Sequence, residues 1–297
     1  MTQPAPHRTI PTRRISFEES LRELPRHFAG SGDQGYSAGS GDLISSHVVA
    51  ALSAVFPEGE EYFVRSVRHY RDQVTDPALK RQIAGFIGQE SMHGRAHRAF
   101  NNRLAELGYP TTLVDRIVRR ALKLRERLLS PISNLGTTAA LEHFTATLAA
   151  MVLTDEEVRN SIGHQGVRDL FTWHALEESE HKAVAFDVFR TVGGTERTRR
   201  WTMNAITAVF LIGMAFQIGL SLLLDRDTYR RGVLLQSWRT FRQSSLVRRD
   251  VWKKLRAYNR PGFHPDDFDT SELEETWRTQ LFGEAGTLND KLVTAVD

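Results

Sequence analysis

Apolar residues recur at three- and four-residue intervals from Ser46 onward, which is the periodicity of helices that bury one face. The alternation of apolar and polar residues that marks half-buried strands is missing. The pattern therefore predicts an all-α fold. The predicted helices cover residues 46–56, 58–74, 77–107, 111–129, 136–154, 165–192, 196–224 and 227–257.

Cap and turn residues divide the chain into regions. Asp76-Pro77 combines an N-cap with a proline at the first helical position, and Gly193-Gly194 ends a long helix. Residues 30–35 match a dinucleotide-binding fingerprint, but no strand precedes them and no apolar helix follows, so a linker is the better interpretation. We expect an irregular N-terminal segment (1–45), a helical bundle (46–193) and a C-terminal helical extension (194–297).

Composition excludes several classes of site. The 297 residues include 39 Lys and Arg against 36 Asp and Glu, a net charge of +3, with no basic block of the kind that binds nucleic acid. Because cysteine is absent, disulfides, thiolate metal sites and iron–sulfur clusters are excluded. The first residues, MTQPAPHRTIPTRR, lack the apolar core of a secretory signal, so we expect a cytoplasmic protein.

Two Glu-x-x-His motifs lie on helix faces that should be buried. Glu90 and His93 continue the apolar stripe of the third predicted helix. Glu178 and His181 continue a stripe that begins at His174 and runs on into apolar residues. Burying carboxylates is costly unless a cation compensates them, so the two motifs indicate a metal site.

Carboxylate di-metal bundles add one glutamate from each of two further helices. Glu60 shares a face with apolar residues, whereas its neighbour Glu61 shares one with arginines; Glu142 lies in a helix almost free of other charge. The midpoints between these glutamates and those of the two motifs fall at Thr75 and Asn160, both in predicted turns. Ligands at matched depth in two hairpins predict a ferritin-like four-helix bundle with an inserted crossover helix and extra C-terminal helices.

The segments that carry these residues resemble the bacterial family described as predicted metal-dependent hydrolases. The ligand pattern is similar to that of the p-aminobenzoate N-oxygenase-like di-iron oxygenases, which have an extra histidine four residues before the last motif's glutamate; His174 occupies that place. The likeness runs from about residue 45 to the Arg260–Pro265 stretch. It is carried by Phe56-Pro57-Glu58-Gly59-Glu60, Gly88-Gln89-Glu90-Ser91-Met92-His93, Leu141-Glu142-His143 and Glu177-Glu178-Ser179-Glu180-His181-Lys182-Ala183.

Other acidic and histidine residues near the motifs are not expected to be ligands. Glu177, Glu180 and His143 lie off the inferred faces. His97 is one turn beyond His93 and is interpreted equally well as a neighbour of the ligands or as an unrelated histidine. The expected ligands are Glu60, Glu90, His93, Glu142, His174, Glu178 and His181.

Four carboxylates and three imidazoles suit two transition-metal ions, with iron the first choice and manganese or a mixed iron–manganese pair as alternatives. The leading hypothesis is an oxygenase or oxidase that uses O2 on a small or lipophilic organic substrate. The alternative is a hydrolase that uses a metal-activated water. Iron storage or a non-enzymatic scaffold is a third class.

One segment raises the question of a membrane. Residues 205–224 carry no charge, and about 20 helical residues span roughly 30 Å of hydrocarbon. Arginines flank both ends, so the charge distribution assigns no orientation. Thr207, Gln217 and Ser221 dilute the apolarity. Membrane contact, burial in the domain and a homodimer interface all stay open for the predicted helix at 201–224.

Overall fold

The computed structural model describes residues 9–30, 41–243 and 249–293; residues 31–35 of the dinucleotide-like match lie outside them. In these ranges no strand forms, and Ile15 and Leu292 make an isolated antiparallel bridge. The predicted all-α fold is confirmed. The α-helices are α1 (Leu43–Tyr70), α2 (Pro77–Glu106), α3 (Thr111–Leu128), α4 (Pro131–Thr154), α5 (Glu156–Ser161), α6 (Gln165–His181), α7 (Val184–Thr191), α8 (Glu196–Leu224), α9 (Val233–Arg242), α10 (Arg249–Ala257) and α11 (Ser271–Phe282).

Helices α1, α2, α4 and α6 form the bundle. The pairs α1–α2 and α4–α6 pack along each other, and α1 also contacts α4 while α2 contacts α6. Helix α3 connects the two hairpins and packs mainly on α1. Helix α8 lies outside the bundle against α4 and α1, and α9 packs on α1.

Helix α1 runs through Pro57, where the sequence predicts a break between helices at 46–56 and 58–74. Pro57 has no N–H and cannot bond the carbonyl of Ser53, four residues earlier. Asn101 of α2 donates its Nδ2 to that carbonyl at 2.9 Å. The predicted break is therefore wrong because a neighbouring helix supplies the missing donor.

Two helix boundaries differ from the predicted ones because of local cap chemistry. Helix α4 begins at Pro131 rather than at 136, since Ser130 accepts a hydrogen bond from the Ser133 amide and proline is favourable at the first helical position. The helix predicted at 227–257 is divided, and Gly232 precedes α9 with a φ of 84°, a conformation that favours glycine.

The helix predicted at 165–192 is also interrupted, directly after His181. There the buried ammonium of Lys182 donates to the carbonyl of Phe268 and to the hydroxyl of Thr270. The interruption separates α6, which carries predicted ligands, from α7, which carries none. The contacts of Lys182 also hold the segment that precedes α11 against the end of α6.

Two apolar clusters lie above and below the level of the predicted ligands. One contains Tyr62, Phe86 and Phe144, and the other contains Phe100 and Trp173. The second cluster includes apolar side chains of the non-helical N-terminal segment within residues 9–30. The buried members there are Ile15, Phe17, Leu21, Leu24, Phe28 and Ala29.

We expect Asn101→Ala to lower the free energy of unfolding by about 1–3 kcal/mol, because the Ser53 carbonyl beside Pro57 then loses its donor in a buried place. Urea denaturation measures this change. Asn102→Ala is the matched control, since Asn102 is exposed on the same helix. Equal stabilities of the two variants would contradict this account of α1.

Candidate metal centre

All seven predicted ligands meet in the middle of the bundle, and each is less than 5% exposed. Glu61, in contrast, is exposed and pairs with Arg98, so the structure agrees with the predicted phase of α1. The seven come from four helices: Glu60 from α1, Glu90 and His93 from α2, Glu142 from α4, and His174, Glu178 and His181 from α6.

The nitrogen and oxygen atoms of these side chains form groups able to hold a metal ion. One group consists of Glu60, His93 and His174. A second consists of Glu90, Glu142 and His181. Within each group one ligand atom per residue lies within 4.8 Å of the others.

Two carboxylates lie between these groups. Glu178 places Oε1 2.9 Å from His174 Nε2 and Oε2 3.6 Å from His181 Nε2. Glu90 places Oε1 2.9 Å from His181 Nε2, without the alignment of a hydrogen bond, and Oε2 4.0 Å from His93 Nδ1. Each carboxylate thus presents one oxygen to each group, as ligands that bridge two cations do.

A chain of hydrogen bonds fixes the ring of His174. The Asn101 amide nitrogen donates to the Ser53 carbonyl, so its Oδ1 must accept from the Ser53 hydroxyl, at 2.7 Å. Ser53 Oγ then accepts from Nδ1 of His97, and Nε2 of His97 accepts from Nδ1 of His174 at 2.7 Å. His174 is therefore left with its Nε2 lone pair directed at Glu60 and Glu178.

The other two imidazoles are each held by a residue of the opposite motif, namely the residue that precedes its glutamate. Glu177 Oε2 lies 3.0 Å from His93 Nε2, and Gln89 Oε1 lies 2.8 Å from His181 Nδ1. Gln89 donates its Nε2 to Glu180, so its Oε1 is an acceptor. Such outer partners orient the histidine ligands of metal sites.

Glu177 and Glu180 are off the ligand faces, as predicted, but they contact His93 and Gln89 next to the ligands. Arg13 of the N-terminal segment donates to Glu177 at 2.9 Å and to Glu180 at 2.8 Å. Burial raises the pKa of Glu177 to about 8 while Arg13 opposes that rise, so Arg13 favours the anion that accepts from His93. The sequence signal that could have indicated these contacts is the polar residue directly before the glutamate of each motif, Gln89 and Glu177.

His97 and His143 have different roles. His97 contacts His174 directly, which decides between the two interpretations of its position. His143 is buried away from the ligands, where its Nε2 lies 3.0 Å from the carbonyl of Lys254 and ties α4 to α10. Its position agrees with the expectation that it is not a ligand, which stays a prediction.

Half of the side-chain atoms that are buried without a hydrogen-bond partner in the described residues belong to this cluster. They are both carboxylate oxygens of Glu60, Glu90 and Glu142, together with His93 Nδ1 and His181 Nε2. Buried polar atoms are normally paired. Oxygen and imidazole donors that face one another without partners fit transition-metal ions such as iron, manganese or zinc.

Burial and mutual repulsion shift the pKa values of the carboxyl groups. Burial, with Glu178 nearby, raises the pKa of Glu142 to about 7. Burial and the surrounding carboxylates raise the pKa values of Glu60 and Glu90 well above the usual range. Burial would also raise the pKa of Glu178, but His181 and His174 outweigh it and the pKa falls well below the usual range. The cluster thus binds protons where a cation would otherwise compensate the charge.

An apolar cavity of about 90 Å³ reaches the cluster between α1, α4 and α6. Leu52, Phe56 and Phe171 contribute to its walls, and His174 and Glu178 line it as well. Two of the predicted ligands therefore border a small apolar cavity.

Comparison with known proteins identifies the family. The model of the family described as "Predicted metal-dependent hydrolase" matches residues 20–269, and the chain belongs to this family. No curated protein and no solved structure matches significantly. The predicted family resemblance is confirmed, whereas the similarity to the di-iron oxygenases stays an interpretation of the ligand pattern.

We expect Glu60→Ala, Glu90→Ala and Glu178→Ala to lose most bound metal, because each removes a carboxylate from the buried groups. Glu61→Ala is the matched control and should keep its metal, since Glu61 is exposed next to Glu60. Elemental analysis of the purified variants measures the effect. Loss of metal from Glu61→Ala with retention in Glu60→Ala would contradict the geometry.

The metal-free protein should lose stability as the pH rises through about 7. In this window the raised pKa values of Glu142, Glu60, Glu90 and His181 mean that the folded state binds more protons than the unfolded state. Bound metal replaces those protons, so metal-loaded protein should show a flatter dependence. Thermal unfolding at a series of pH values tests this; identical slopes for both forms would contradict it.

Proposed function

We infer that the cluster holds two divalent transition-metal ions and that the protein is a metal-dependent hydrolase of a small organic substrate with an apolar part. One observation carries this proposal: eight buried ligand atoms without hydrogen-bond partners lie in these two groups, and Glu178 approaches a histidine of each group. A single ion leaves most of seven such side chains uncompensated. The reaction class follows the description of the family.

Glu60, His93 and His174 would hold one ion, and Glu90, Glu142 and His181 the other. Bound metal supplies Lewis acidity and lowers the pKa of a coordinated water, which makes it a nucleophile near neutral pH. Glu178 joins the two groups and faces the cavity.

The cavity determines how a substrate approaches. Its walls at Leu52, Phe56 and Phe171 bind an apolar group and exclude water, while His174 and Glu178 mark the polar end where the reacting bond lies. The hydroxyl of Thr145, also on the cavity wall, donates to Glu178 Oε2 and holds that carboxylate in place. An ester or amide with an apolar acyl chain fits a cavity that has apolar walls and one polar end.

A second candidate function is oxidation of an apolar substrate with O2 by a di-iron form of the same site. The specific observation that favours it is the third imidazole, His174, which makes the donor groups unequal and lies beside the apolar cavity. An additional neutral nitrogen donor changes the redox properties of the ion it binds.

Metal loading and activity assays on the full chain separate the two candidates. We expect two ions per chain, and hydrolysis of aryl esters that depends on the metal, disappears in Glu178→Ala and persists in Glu61→Ala. Leu52→Trp, which fills the cavity, should lower kcat/KM for longer acyl chains at least about tenfold without loss of metal. O2 consumption coupled to substrate after anaerobic loading with ferrous iron, with no hydrolysis, would overturn the proposal in favour of the oxidase.

A further inference from the structure

Helix α8 is long and apolar enough to cross a membrane by length and composition, yet only 11% of its most apolar stretch is buried. Its outward side chains include Val209, Ile212 and Phe216, which are 64–70% exposed. Exposed apolar side chains continue along α9. We call the following residues the α8–α9 surface: Val209, Ile212, Phe216, Leu223, Leu235 and Trp238.

The opposite side of α8 packs on the rest of the protein and forms hydrogen bonds with it. Gln217 donates to the Ala51 carbonyl of α1 at 2.9 Å, and Ser221 Oγ lies 2.6 Å from Nδ1 of the buried His47. At the other end of the helix the buried Arg199 donates to the carbonyl of Arg260 at 2.9 Å. Crossing a bilayer would break all of these contacts. One face of α8 therefore packs on the rest of the protein, and the opposite apolar face is available to a partner.

An apolar groove of about 640 Å³ lies where α8 and α9 meet α1. Ile218 and Leu222 of α8, Leu234 and Trp238 of α9 and Val48 of α1 line it. Val48 also lines the cavity that reaches His174 and Glu178. Val48 therefore lies between the outer apolar groove and the cavity that reaches the candidate metal centre.

The charges around this surface are nearly all positive. Between residues 196 and 243 the acidic residues are Glu196, which pairs with Arg199, Asp225, which is buried against His27 and His47, and Asp227, which pairs with Arg230. Trp238 adds an amphipathic ring of the kind that favours a membrane–water boundary. The exposed arginines at the ends of α8 and along α9 are Arg197, Arg226, Arg230, Arg231, Arg239 and Arg242.

We propose that the α8–α9 surface docks on an anionic lipid bilayer, with α8 lying in the plane of the interface. Apolar side chains enter the acyl boundary and the arginines meet anionic headgroups, as in interfacial helices. A second copy of the chain is a poorer occupant, because a two-fold interface would set this basic rim against itself. The docked protein then takes apolar molecules from the bilayer into the groove and past Val48 into the cavity. This consequence rests on the proposed function.

Vesicle co-sedimentation of the full chain tests the docking. We expect binding to vesicles that contain phosphatidylglycerol and weaker binding to pure phosphatidylcholine. The variant I212E/F216E should bind at least about tenfold less, since two apolar side chains no longer enter the lipid. R230E/R231E should also weaken binding and reduce its sensitivity to salt.

Val293→Glu is the matched control, because Val293 is 49% exposed outside the α8–α9 surface and should bind like the unmodified chain. Undiminished binding of I212E/F216E would overturn the proposal. So would a dimer in sedimentation velocity that this variant converts to a monomer, since a second copy would then cover the surface. Docking is measured on metal-free protein as well, so its failure is distinguishable from failure of the proposed function.

Discussion

Repulsion among four buried carboxylates is the constraint on which the rest of this structure depends. Glu60, Glu90, Glu142 and Glu178 lie in the core of one bundle with three imidazoles and no arginine or lysine among them. Such a group is stable only with protons or cations between the carboxylates. Burial and the neighbouring carboxylates raise the pKa values of Glu60 and Glu90, which favours the first solution, and the unpartnered ligand atoms point to the second.

The residues around the cluster serve to hold its donors in one orientation. Each imidazole has an outer partner on another segment: His97 for His174, Glu177 for His93 and Gln89 for His181. These partners depend in turn on Arg13 and Asn101, the second of which also supplies the donor that Pro57 removes from α1. Continuity of a bundle helix and orientation of a candidate ligand thus rest on the same side chain.

The periodicity of the sequence predicts the all-α fold and brings the seven candidate ligands to one place, since spacing along a helix determines which faces are buried. It does not predict the outer partners, because Glu177 and Arg13 meet only through tertiary packing. It also fails where one segment completes another: Pro57 predicts a break that Asn101 prevents, and the interruption after His181 accompanies the contacts of Lys182 with the C-terminal segment.

The central claim, that the cluster is built for two cations, is tested most directly by anomalous diffraction from crystals of metal-loaded protein. Two anomalous peaks should lie among the seven side chains, with Nε2 of His174 about 2.0–2.2 Å from one of them. Glu90 and Glu178 should each contact both peaks. A single peak, or a His174 ring turned away from both ions, would contradict that claim.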